Sequence, residues 1–149
     1  QKLRGPVDPV VFDSLYDWSK SKQDSIRYYS GTAIYTPRFT LARLPAGAPI
    51  FLNLGRVQVL AHVVVNGKDM GGTWTDPWQV DVTDALKRGS NTVEVKVVNL
   101  WVNRLIGDSR FPASERKTWA SIEPYKPDSP LQASGLLGPV TLQSVRYDK

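Results

Sequence analysis

The chain has 149 residues with no cysteine and one histidine; 41% are apolar and 22% charged, and there are eleven glycines, eleven prolines and five tryptophans. These counts exclude disulfides, zinc–thiolate and iron–sulfur sites, cysteine nucleophiles and any multi-histidine metal centre. The length suits one domain over residues 1–149, with an ordered core over about 10–146 that is large enough to need no covalent staples. The formal charge of +5 invites a nucleic-acid reading, but the basic residues are scattered and the only adjacent pairs are Lys87-Arg88 and Arg116-Lys117. Phosphate tracking needs a concentrated patch or stripe, so no nucleic-acid partner is expected. No apolar run approaches the roughly 18 residues of a membrane span, and the N-terminus shows no signal-peptide pattern. The expectation is a soluble domain without a membrane partner.

In chain order, Phe12, Leu15 and Tyr16 have helical spacing, but Pro9 and the polar run Ser19 to Ser25 limit any helix there to a couple of turns. Thr32 to Leu41 reads as a strand that Pro37 interrupts, which predicts an edge position or a bulge. Ile50 to Leu54 is a second strand. From Val57 to Val65 apolar residues alternate over nine positions, and the off-face Leu60 and Val64 predict a central strand covered on much of both faces. It ends in Asn66-Gly67, the pair best suited to a tight hairpin. Trp78 to Val82 is a further strand, and Asp84 to Gly89 is one turn with Asp84 placed to cap it. Val93, Val95 and Val97 alternate with Glu94 and Lys96, a strand with one wet face. The stretch from about Leu105 to Gln132 carries Pro112, Pro124, Pro127 and Pro130 and predicts a long functional or mobile loop. Val140 to Tyr147 completes the strands. Many short strands at turn-punctuated spacing predict an all-β sandwich or barrel.

Catalytic motifs are missing. Gly67-Lys68 is followed by Asp69, so no phosphate-cradling loop is present, and neither a dinucleotide fingerprint nor a nucleophile elbow occurs. A Ser–His–acid triad would have to use His62, which sits mid-strand among valines and reads as a structural imidazole. Carboxylates are plentiful at Asp69, Asp76, Asp81, Asp84 and Asp108, but sequence does not pair them. Asp81 and Asp84 read as structural, one ending a strand and the other capping a turn.

Three blocks carry more information: Phe51 to Trp78, Val80 to Asp108, and Ser134 to Leu142. Read together they resemble the sugar-binding domain of glycoside hydrolase family 2. Gly55, Val63, Val65, Asn66 and Gly67 fit its first motif. Trp78, Asp81, Val82, Thr83, Leu86, Gly89, Asn91, Val95 and Val97 fit its second, and Ser134, Gly135, Leu136, Val140 and Leu142 its third. Tyr29 to Tyr35 and Asn99 to Asp108 further resemble the C-terminal segment of bacterial family 106 hydrolases of the α-L-rhamnosidase type. The resemblance covers nearly the whole chain. It implies a jelly-roll β-sandwich of the galactose-binding type, excised from a larger periplasmic or secreted glycoside hydrolase. The implied partners are an oligo- or polysaccharide and the catalytic domain of the same parent chain.

A sugar needs an aromatic face against its C–H surface and convergent polar groups for its hydroxyls, because each buried hydroxyl left unpaired costs about 1–3 kcal/mol. The richest such cluster is Trp101, Asn103, Arg104 and Asp108. Trp74 and Trp78 with Asp76 between them form a second set, Trp119 lies in the long loop, and Arg27, Tyr28 and Tyr29 are further candidates. In family 2 enzymes a loop after this strand reaches toward the catalytic barrel, a role that falls here on Asn103 and Asp108. Structural alternatives stand beside these readings: Trp101 or Trp78 as core plugs, and Arg104 with Asp108 as an ion pair that tethers the loop. No cofactor is expected. Calcium occurs in related sandwiches, but no ligand loop is evident. The function expected is non-catalytic carbohydrate contact, or completion of a neighbour's cleft. The rivals are a purely structural domain and an isolated hydrolase using Asp108 with another acid.

Overall fold

In the computed structural model, residues 5–45 and 47–144 are described. An N-terminal strap leads to a 3-10 turn at Trp18–Lys20 and a single helical turn, α1, at Asp24–Arg27. Six strands follow: β1 (Thr32–Tyr35), β2 (Arg38–Leu41), β3 (Ile50–Asn53), β4 (Arg56–Gln58), β5 (Leu60–Val65) and β6 (Lys68–Thr73). Beyond β7 (Gln79–Asp81) and a 3-10 turn at Thr83–Ala85 come β8 (Gly89–Val98) and the helix α2 (Val102–Ser109). A further 3-10 turn at Ala113–Glu115, β9 (Gly135–Gly138) and β10 (Thr141–Ser144) close the chain. Residues 145–147 of the last expected strand, and the end of the expected core, lie outside the described residues. Among the described residues no helix is long and apolar enough to cross a membrane.

The strands form two antiparallel sheets packed face to face, as the alternating patterns predict. The larger runs β1-β8-β5-β6 with β2 also on β8, the smaller runs β10-β3-β7, and β4 pairs β9 separately. Between the sheets Ile50, Leu52 and Val80 from one side meet Ala61, Val63, Val65, Val93, Val95 and Val97 from the other. Strand β8 is the spine, with β1 and β2 along one side and β5 along the other. Thr32 faces Val98 and Leu41 faces Gly89 in one continuous register, so β1 and β2 are a single edge strand broken at Thr36-Pro37. Pro37 has no N–H to give and occupies an edge, as expected. Its carbonyl accepts from the Val93 amide at 3.1 Å and carries the pairing across the break.

The Asn66-Gly67 hairpin forms, with φ of 51° and 82° at its two central residues, the left-handed pair that a two-residue turn requires. The nine-residue strand expected over 57–65 is instead two. Arg56–Gln58 joins β9, while Leu60–Val65 enters the large sheet as the interior strand anticipated, though its outer face is not covered as expected, since Leu60 is exposed there. Both pieces keep the same parity of inward residues, so alternation alone hides the change of partner. The helical spacing at Phe12, Leu15 and Tyr16 yields no helix; the Phe12 and Tyr16 rings meet edge-on at 5.2 Å. The helical turns fall within and beside the polar run, where the Asp17 carboxylate accepts from the Ser19 amide and hydroxyl at 3.0 and 2.8 Å. After β7 the capping carboxylate is Asp81 rather than Asp84. The Thr83 hydroxyl and amide donate to Asp81 at 2.5 and 2.9 Å and hold its carboxyl below the usual range.

The inward row of β8 is Asn91, Val93, Val95, Val97, and beyond the strand end Asn99, all buried. Asn91 donates to the Lys87 and Gly89 carbonyls and accepts from the Lys87 amide and the Asn66 side chain, all at 2.8–3.0 Å. Asn91→Ala is expected to lower the unfolding free energy by about 2–4 kcal/mol in urea titrations, with an unchanged m value, because several partners lose their bonds inside the fold.

Candidate functional site

The stretch read as the start of a loop is helix α2. Its sequence, Val-Asn-Arg-Leu-Ile-Gly-Asp-Ser, has one β-branched start and an internal glycine, so propensity gives it little support. Packing supplies the rest: Asn103, Arg104, Ile106, Gly107 and Asp108 are all buried. The fit at Gly107 is close, since a Cβ there would lie 2.6 Å from the Tyr28 ring.

Positions i and i+4 share a helix face, which brings Arg104 onto Asp108. Arg104 Nη2 donates to Asp108 Oδ1, with both side chains almost wholly excluded from solvent. The other carboxylate oxygen accepts from the Lys117 amide at 3.2 Å, the Thr118 amide at 2.9 Å and the Thr118 hydroxyl at 2.7 Å. Asn103 clasps Gln132, donating to its carbonyl at 2.6 Å and accepting from its amide at 2.8 Å. Two residues further, the Asp17 carboxylate accepts from the Ser134 amide at 3.0 Å. The long loop is thus pinned to the body at 117–118, 132 and 134. Arg116 adds a pair with Glu123 and a bond from Nε to the Phe111 carbonyl at 2.9 Å.

Asn103, Arg104 and Asp108 are therefore all turned inward, Asn103 and Asp108 onto the loop's backbone and Arg104 onto Asp108. The cavity beside Asp108, lined by Leu105, Ser109, Arg116, Thr118 and Tyr125, holds about 30 Å³. At roughly 10–15 Å³ of such space per water, that is room for about two waters, far below what a sugar ring needs. The arrangement acts as a tether.

The tryptophans divide differently. Trp101, which precedes α2 and whose carbonyl accepts from the Leu105 amide at 2.9 Å, is 56% exposed. Trp74 and Trp119 are 69% and 83% exposed, and Asp76 is exposed beside Trp74. Trp78 packs against the core. Trp18 is buried between Tyr29, at 5.9 Å, and Tyr35, at 6.2 Å. Arg27, Tyr28 and Tyr29 are half-buried: Arg27 Nε donates to the Ser19 carbonyl at 3.3 Å, Tyr29 donates to Thr32, and Arg110 lies over the Tyr28 ring. His62 pairs with Asp69 on the neighbouring strand at 2.9 Å. Among the described residues no group of three or more His, Asp or Glu side chains converges to hold a metal ion.

Sequence reasoning missed Asn99 and Asp17 as organisers. Asn99 Oδ1 accepts from the Gly135 amide at 2.7 Å and its backbone amide donates to the Gly31 carbonyl at 3.1 Å. Gly135, at φ 93°, sits where a Cβ would meet the Trp18 indole at 2.7 Å. The signal available for Asn99 was its place two residues past Val97 in the inward alternation.

Residues 10–123 match the family described as the glycosyl hydrolase 2 galactose-binding domain-like family, and the chain belongs to it. A rhamnosidase from Novosphingobium sp. PP1Y is 40% identical and superposes with a TM-score of 0.87, covering 95% of this chain and 14% of that one. A Formosa agariphila protein provisionally named a β-glucuronidase is 37% identical over 91% of this chain and 14% of its own length. A Lactobacillus rhamnosus β-glucuronidase is 29% identical with a TM-score of 0.54, over 65% of this chain and 17% of that chain. The chain thus spans about one seventh of the first two.

Removing one partner of a buried ion pair leaves the other charge uncompensated. Asp108→Ala is expected to cost about 3–5 kcal/mol and to expose the 110–132 segment to limited proteolysis. Adding Arg104→Met should recover much of the stability in thermal melts but leave the loop cleavable, because Lys117 and Thr118 still lack their acceptor.

Proposed function

We propose that this chain is a non-catalytic accessory domain of a larger glycoside hydrolase and that it contacts carbohydrate through its surface tryptophans, chiefly Trp101. The observation that carries the reading is a half-exposed indole rooted at the start of a helix whose Asn103 and Asp108 side chains are committed to the long loop. A ring held in this way loses little freedom when a pyranose stacks on it. Asp76 beside Trp74 offers a carboxylate to sugar hydroxyls, and Trp119 lies on the tethered loop. Bond cleavage would fall to carboxylates elsewhere in the parent. The likeness to the Novosphingobium rhamnosidase supports a parent of the rhamnosidase type, and the residues at 29–35 and 99–108 support a C-terminal place in it. A parent that acts on polymeric glycan works in the periplasm or outside the cell.

A specific observation favours a second reading, in which this end of the domain docks on the catalytic domain and has no sugar affinity of its own. Leu60 and Val98 face each other in register on the outer side of the large sheet, both part-exposed, and the chain continues from Val98 through exposed Leu100 to Trp101. Calorimetric titration of the chain with rhamnose-containing and glucuronic-acid-containing oligosaccharides separates the two. Millimolar binding, about −4 kcal/mol, that disappears in Trp101→Ala with an unchanged melting temperature is expected. No heat of binding up to about 10 mM sugar would favour docking.

A further inference from the structure

One side of the sandwich is open. There the large sheet ends in the β1/β2 edge and the small sheet ends in β10, which has β3 on one side and, among the described residues, no strand on the other. Between them lies a groove of about 700 Å³ that reaches down to Leu52, Val93, Val95 and Leu136. It continues under the N-terminal strap into a second hollow of about 660 Å³, the two sharing Val10, Phe12, Trp18, Ala33 and Ile34. The floor of the groove is closed, with Leu52, Val93, Val95 and Leu136 each 4% exposed or less, and its accessible wall is the part-buried Leu15, Tyr35, Phe39, Val140 and Leu142. Its rim is apolar as well: Val7 is 79%, Val11 90% and Ile34 55% exposed.

The lining indicates what fits. No charged or amide side chain lines the 700 Å³ groove; its polar groups are the Thr36 and Thr141 hydroxyls, the Trp18 indole and the Tyr35 phenol. The phenol already accepts from the Leu136 amide at 3.2 Å. A sugar would leave its hydroxyls unpaired here. An extended peptide suits the site better, because a free strand edge supplies backbone bonds while every second side chain fills the hollow. Of the two edges, the β1/β2 edge is interrupted at Pro37, which lacks a donor. The edge of β10 has no such break.

We infer that the free edge of β10 receives one extended strand, apolar at alternate positions, from polypeptide of the same hydrolase outside these 149 residues. The strand adds to the small sheet and seals the groove over Phe39, Leu52, Val95 and Leu142. The inference rests on the reading that the domain belongs to a larger chain, and the length relation supports it. The rhamnosidase and the Formosa protein each hold about six sevenths of their residues outside the matched region.

The test is hydrogen–deuterium exchange of the peptide spanning 139–144, read by mass spectrometry in the 149-residue chain and in the native gene product. Binding of the dye 8-anilinonaphthalene-1-sulfonate is measured in parallel. The expected result is fast exchange and dye fluorescence for the 149-residue chain, with at least a tenfold slowing and loss of fluorescence in the longer product. Equal exchange in both, with a longer product present, overturns the strand inference and leaves the accessory-domain reading intact. A native product of only this length overturns that reading, and the strand inference with it. Concentration-dependent dimerisation of the 149-residue chain that protects 139–144 overturns it in favour of a second copy. Leu142→Lys in the longer product should restore fast exchange at 139–144 without speeding that of Val93 to Val97, and protection at 139–144 that stays unchanged would also contradict it.

Discussion

The inward row of β8 is the constraint from which the rest of the structure follows. Three valines, Val93, Val95 and Val97, fill the space between the sheets, and a buried asparagine closes the row at each end. Burying an amide is tolerable only if its bonds are made, and each asparagine makes them to a different part of the chain. Asn91 fixes the turn before β8 and the Asn66 hairpin; Asn99 fixes Gly135 and Gly31. The strand thereby sets the register of its neighbours and the places where the chain leaves the sandwich. From the Asn99 end the chain runs through Trp101 into α2, so the candidate contact surface inherits its position from this strand.

Much of the fold was legible because a half-buried antiparallel sheet leaves a period of two in the sequence. The wet face of β8, the Asn66-Gly67 turn and the edge position of Pro37 could all be read from single residues or short patterns. Two features could not. The break at Val59 changes the partner strand without changing which residues face inward, so alternation is blind to it. Helix α2 is short and of mediocre propensity; it is held because Asn103 and Asp108 find partners up to 29 positions away while Arg104 and Ile106 are buried. Such partners have no local signature.

The candidate site was legible in its membership more than in its geometry. A dense set of Trp, Asn, Arg and Asp between 101 and 108 marks chemistry in the sequence, and the i, i+4 spacing of Arg104 and Asp108 already contained the tether. What spacing cannot show is which way the set faces. Here the polar members turn inward to fix a loop rich in proline and charge, and the aromatic member stays out. A loop whose length led one to expect function or mobility is held at several points along its course. The rigidity serves the same end whether the surface meets a glycan or another domain, because either partner gains from a contact surface whose ordering is complete before binding.

The central claim is this division between a buried polar frame and tryptophans that meet the partner at the surface. The five indole N–H resonances of the chain report on it directly when an oligosaccharide is titrated in and the ¹H–¹⁵N spectrum is followed. The account predicts that the Trp101 signal shifts progressively, with Trp74 or Trp119 joining it, while those of core-packed Trp18 and Trp78 stay fixed. Shifts confined to Trp18 and Trp78, or a glycan-induced change centred on the side-chain signals of Asn103 and Arg104 with Trp101 silent, would contradict it.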